Sequence, residues 1–123
     1  MQPESLVAGL LAALERRDDL AQADLIHPDC SIVVDTGDPA GGELRGRAHV
    51  ARALDGLQAG HPDAAFSTVH VNGGPGLALR RHDGTIVGVL VVDAGAHGTI
   101  REIWLSAAPG KLAHWNRRRP AEG

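Results

Sequence analysis

Three side chains in this sequence combine a reactive or recognising group with a setting that could use it: Asp35, His70 and Trp104. His70 lies in Ala65-Phe66-Ser67-Thr68-Val69-His70-Val71, where strand alternation puts Phe66, Thr68 and His70 on one face. An imidazole on a concave face could act as acid or base near neutral pH. A satisfied, half-buried histidine is the structural alternative. Trp104 alternates with Ile100, Glu102 and Ser106, so it could line the same cavity with Leu90 and stack on a flat ligand. Plain core packing is the competing reading. Asp35 ends Ser31-Ile32-Val33-Val34 and enters a glycine-rich stretch, a position where a turn aspartate is the competing reading.

Other chemistries find little support. The seven histidines are scattered, with no paired spacing on one helix and a single cysteine, Cys30, so neither a metal site nor a cofactor is expected. The glycine loops lack the Lys-Ser/Thr pair and following helix of a phosphate loop. Net charge is −3, which gives no global basic field for nucleic acid. The one basic run, Arg117-Arg118-Arg119, reads as a solvated tail over 117–123, leaving 1–116 as one domain with Trp115 anchoring its end. His27-Pro28-Asp29 and His61-Pro62-Asp63 share a tripeptide with J-domain cochaperones, but each leads into a strand and reads as a turn. Cys30 alone cannot form an intramolecular disulfide. Met1-Gln2-Pro3-Glu4 precedes no secretory pattern, and the longest apolar run, Ile86 to Val92, is too short for a bilayer. The expectation is a soluble, cytoplasmic protein with no membrane partner.

The elements that must position these residues follow from periodicity. Ser5 can cap a helix with Leu6, Val7, Leu10, Leu11 and Leu14 on one face. Asp18 or Asp19 can cap a second, short helix that Pro28 closes. A strand over Ser31–Asp35, a loop, a brief extended Glu43-Leu44-Arg45 and a third helix from Arg47 to Leu57 come next. Four strands then alternate with turn signals at Asn72-Gly73-Gly74-Pro75-Gly76, His82-Asp83-Gly84 and Ala94-Gly95-Ala96-His97-Gly98, the second strand starting at Leu77. Turns this short join antiparallel neighbours, so these strands form a meander. In the third, Ile86, Gly88, Leu90 and Val92 share one face and Val87, Val89 and Val91 the other. Both faces are apolar, which predicts helices or a pocket on one side and a second subunit on the other; a central strand in a larger monomeric core is the alternative.

This order resembles the nuclear transport factor 2-like superfamily. Residues 28 to 54, with Pro28-Asp29-Cys30-Ser31-Ile32-Val33-Val34-Asp35 and then Arg45-Gly46-Arg47, look like its SnoaL-like pattern of strand, polar loop and "Gly-Arg" helix start. Residues 71 to 79, with Asp83-Gly84, Val87-Gly88-Val89 and Lys111-Leu112, resemble the SnoaL-like C-terminal domain of sigma-J-type extracytoplasmic-function sigma factors. That family carries Asp-Gly-Gly-Gly-Lys after its first strand, where this chain has Asp35-Thr36-Gly37-Asp38. It carries Asn-Pro-Asp-Lys-Leu near its end, where this chain has Ala107-Ala108-Pro109-Gly110-Lys111-Leu112.

The resemblance implies an α+β, cone-shaped (cystatin-roll) fold, three helices of the N-terminal half packed on a curved antiparallel sheet. It implies a free-standing relative of the sigma-factor domain: a homodimer through the sheet that binds a small apolar ligand, with a transcription-machinery partner conceivable. In related steroid isomerases a carboxylate at the place of Asp35 is the general base, which requires a raised pKa and a facing oxyanion donor. This chain contains no tyrosine to serve as that donor. An isomerase, cyclase or hydrolase acting on a small apolar carbonyl substrate, with Asp35 as base and His70 as partner, is the alternative.

Overall fold

The computed structural model describes residues 3–36, 42–71, 74–95, 98–108 and 112–113. The expected turn at Asn72-Gly73, His97, Lys111, the anchor Trp115, the domain limit at 116 and the basic run Arg117–Arg119 lie outside them.

Helix α1 spans Pro3–Arg16 and buries Leu6, Val7, Leu10, Ala13 and Leu14, the face that its spacing predicts. It begins two residues before Ser5, at a proline whose missing N–H costs nothing in a first turn. Its end is tied by two backbone bonds, Arg17 N–H to the Leu14 carbonyl and Asp18 N–H to the Ala13 carbonyl, with Arg17 in the left-handed region at φ 53. Asp18 then caps α2 (Asp19–Leu25), its carboxylate accepting from the Ala21 N–H at 3.1 Å.

α2 ends at Leu25 and runs directly into strand β1 (Ile26–Asp35), so Pro28 lies within the strand and not after the helix. The strand tolerates it because the register against its neighbour breaks between Ile26 and Ser31. Strand β2 (Gly42–Arg45) pairs with β1, and α3 (Arg47–Gly60) follows at once. The "Gly-Arg" start has a mechanical role. Gly46 adopts φ 111, which a side chain would oppose, and donates its N–H to the Cys30 carbonyl at 2.8 Å. Arg47 donates Nε–H to the Ile26 carbonyl at 2.9 Å. Both bonds pin α3 to β1, and Val50 and Leu54 complete the joint by burial. At the far end Gln58 donates Nε2–H to the Leu14 carbonyl, one of the last of α1.

The meander is present: β3 (Ala65–Val71), β4 (Gly74–Arg80), β5 (Ile86–Ala94) and β6 (Ile100–Ser106). Gly74, Pro75 and Gly76, expected in the turn, belong to β4 and continue its pairing with β3. The six strands form one sheet in the order β2-β1-β6-β5-β4-β3. The sheet is mixed. Its other pairings are antiparallel, but β1 and β6 run parallel, which the antiparallel expectation leaves out. α1 packs over β3, β4 and β5, and α3 over β1 and β2. Between helices and sheet lies a core of fully buried side chains including Leu6, Leu10, Leu54, Leu77, Leu90 and Ile103. Each such leucine contributes about 1.5–3 kcal/mol relative to exposure.

Two bulges reset the faces of the meander. Leu79 pairs with Gly88 but Arg80 with Ile86, so the extra residue Val87 turns Ile86 to the other side. Ile86 therefore clusters with Val89, Ala78 and Leu112, away from Leu90 and Val92, which corrects the face drawn from simple alternation. Likewise Asp93 pairs with Glu102 but Ala94 with Ile100, so Ile100 enters the core while Glu102 and Trp104 stay on the opposite side.

Gly76 and Gly88 make opposite demands. A Cβ built on Gly76 would stand against the Leu90 carbonyl oxygen, whereas one on Gly88 would meet only Leu57 and Leu105 side chains at 3.6 Å. Gly76→Ala is therefore expected to cost about 1–3 kcal/mol in urea unfolding, and Gly88→Ala to change stability by less than about 1 kcal/mol. Equal effects would contradict the close approach at Gly76.

Candidate functional site

Strand register decides which of the nominated residues face one another. On the helix side, Phe66 aligns with Leu79, Thr68 with Leu77 and His70 with Pro75. Phe66 and Leu90 are buried in the core, and Thr68 and His70 extend the same row of β3 into solvent. On β1 and β6 the helix side carries Ile32, Val34, Ile103 and Leu105. Asp35 aligns with Ser106, and Val33 with Trp104, so alternation places Asp35 and Trp104 on the other side. A single row runs across that side through Val33, Trp104, Val91, Gly76 and Val69. Trp104 is 41% exposed at its centre.

The structure thus brings Phe66, Thr68, His70 and Leu90 to one layer and Asp35 and Trp104 to the other. Asp35 and His70 are also four strand intervals apart, since β6, β5 and β4 stand between β1 and β3. At about 4.8 Å per interval this is roughly 19 Å around the sheet. Acid–base partners share a proton over about 3 Å or through one water. The two residues do not form such a couple.

The sequence reading did not nominate Val34, Leu57 and Val87, half-buried residues packed against the core on the helix side. Gly88 stands beside Leu57, with Leu105 its other near neighbour. Helical spacing from Leu54 and alternation from Ile32 could have found Leu57 and Val34. Val87 owes its position to the bulge and has no such signal. All three add apolar surface at the margin of the core.

Two further groups are fixed by their surroundings. His27 receives the Asp29 N–H at Nδ1, 2.9 Å away, while Nε2 stands 3.0 Å from the Arg101 guanidinium. A neutral imidazole has one acceptor nitrogen, so only one of these contacts is a hydrogen bond at a time. The contact links the irregular start of β1 to the bulge of β6. Cys30 is buried, and burial pushes its thiol up to about 11, against a smaller lowering by Arg101 and a further rise from Glu102. Such a cysteine is a small apolar residue at neutral pH and not a nucleophile. Among the described residues no cluster of three or more His, Cys, Asp or Glu could hold a metal ion, and no helix is long and apolar enough to cross a membrane.

No family sequence model matches the chain, and no curated protein matches it by sequence. Solved structures do share its fold. The extracytoplasmic function sigma factor SigJ of Mycobacterium tuberculosis aligns over 90% of this chain at 21% identity and a TM-score of 0.68. Only 44% of SigJ is covered, so this chain spans less than half its length. IdmH from Streptomyces antibioticus, a candidate polyketide cyclase, aligns over 85% of this chain and 91% of its own at 23% identity, with a TM-score of 0.61. A candidate isomerase of the SnoaL-like family from Agrobacterium tumefaciens covers 86% and 97% at 18% identity, with a TM-score of 0.62. Proteins described as cystatin-like and as nuclear transport factor 2-like share the arrangement too. The chain has the SnoaL-like fold.

Burial of Cys30 sets a pH dependence. Its folded thiol holds its proton to about 11, above the ordinary 9.0, so the contribution to stability is intact below pH 9 and is lost as pH rises through 11. Thiol-specific alkylation of the native protein at pH 8 is expected to be slow and to become fast in denaturant. Rapid labelling of the folded protein would show that Cys30 is not shielded.

Proposed function

We propose that the chain is a SnoaL-like domain that binds a small apolar molecule between its helices and sheet, acting as a regulatory module and not as a proton-transfer enzyme. The observation that carries this reading is the separation of the polar groups. Val34, Leu57 and Val87, half-buried on the helix side, are apolar, and the residues that could do acid–base work stand in different layers. An enzyme needs at least two polar groups converging in its cavity. The likeness to SigJ, a sigma factor, supports a partner in the transcription machinery. Self-association through the sheet belongs to the same reading, and the long, uncharged edge strand β3 supports it.

A second reading keeps Asp35 as a lone general base on a small apolar carbonyl substrate. The structural likeness to IdmH and to the Agrobacterium protein favours it, together with the place of Asp35 at the end of β1.

Native mass spectrometry of the purified protein is expected to show a retained small molecule that is lost on denaturation. Asp35→Asn should leave that binding within about twofold. If the variant instead lowers turnover of an identified carbonyl substrate by about 10²–10⁴, the enzyme reading replaces the regulatory one. A protein that carries no adduct and binds nothing in a screen of apolar compounds sinks both.

A further inference from the structure

The two edges of the sheet are protected very differently. β2, at one edge, is four residues long and carries Glu43 and Arg45, charged and exposed. Short, charged edge strands resist pairing with other chains. β3, at the other edge, has seven residues in unbroken register with β4 and no charged residue, proline or bulge. Among the described residues no strand lies on its outer side.

The hydrogen-bond pattern of that edge follows from its hairpin. Val71 pairs with Gly74 across a two-residue connection, so the flanking pair bonds inward and alternate residues of β3 repeat this. Ala65, Ser67, Val69 and Val71 thus spend their main-chain groups on β4. Phe66, Thr68 and His70 present theirs outward. This set is self-complementary. An antiparallel copy centred on Thr68 sets Thr68 opposite Thr68 and Phe66 opposite His70, and each of these pairs exchanges both main-chain bonds. Thr–Thr and aromatic cross-strand pairs are favourable, and no like charges meet.

We propose that β3 pairs antiparallel with β3 of a second copy about a two-fold axis at Thr68, joining the two sheets edge to edge. This rests on the reading that the chain self-associates through its sheet, and it names the edge, not the Trp104 face, as the contact. The same pairing sets the His70 of each copy beside the Phe66 of the other. A heterologous peptide strand on this edge is an alternative outcome.

Thr68 is exposed, so substitutions there test the contact without disturbing the core. Sedimentation across a range of concentrations is expected to show a dimer, and Thr68→Lys, which sets two ammonium groups opposite one another, to weaken it by about tenfold or more. Thr68→Cys supplies a gain of signal. Directly opposed residues lie about 5.5 Å apart at Cα, within disulfide reach, so mild oxidation should give a covalent dimer. Ala65→Cys, facing Val71 of the other copy, should not. Circular dichroism checks that each variant is folded. A dimer that tolerates Thr68→Lys, or whose Thr68→Cys form does not cross-link, overturns the edge pairing. If that dimer then dissociates on Trp104→Glu, the sheet face is the contact. A chain that is monomeric at every concentration overturns self-association altogether, and with it the pairing, even if β3 captures a foreign strand.

Discussion

The parallel pairing of β1 with β6 is the contact on which the other elements depend. β1 carries the two carbonyls, at Ile26 and Cys30, that receive Arg47 and Gly46 and so fix the start of α3. It also carries Ile32 and Val34, which continue the core outward from β6 to the short edge strand β2. Parallel neighbours cannot be joined by a tight turn. Here the crossover consists of β2, α3 and most of the meander, so one ladder encloses the greater part of the chain. Without it, β1, β2 and α3 would have no sheet to lie on.

Local signals in the sequence account for much of this architecture. The face of α1, an aspartate cap at Asp18 or Asp19 and the four strands of the meander are each written in short local patterns. What escapes such signals is non-local or depends on one inserted residue. Pro28 reads as a helix stop because nothing nearby shows that the β1–β6 register is broken around it. Ile86 and Ile100 read onto the wrong faces because the bulges at Val87 and Arg101 shift alternation by one.

The site was legible to the same limit. Period two correctly groups Phe66, Thr68 and His70, since all three lie on one unbroken strand. Whether Asp35 or Trp104 shares their layer depends on the pairing of β1 with β6 and on the side of the sheet that the helices cover. Neither is visible in a stretch of five or ten residues. The sheet's two layers consequently differ in character. One is covered by α1 and α3 over the apolar core; on the other, Leu112 packs with Ala78, Ile86 and Val89, while Trp104 stays partly in water.

The order in which the strands are made gives the β1–β6 contact a meaning during synthesis. A ribosome delivers about 5–20 residues each second, and β1 leaves it long before residues 100–106 exist. For those seconds Cys30, Ile32 and Val34 have only β2 and α3 beside them, and the inner slot next to β1 stands open. Until Ile100–Ser106 arrive, the main-chain groups on the inner side of β1 have no strand to pair with, so the amino-terminal half is completed by the last strand to be made.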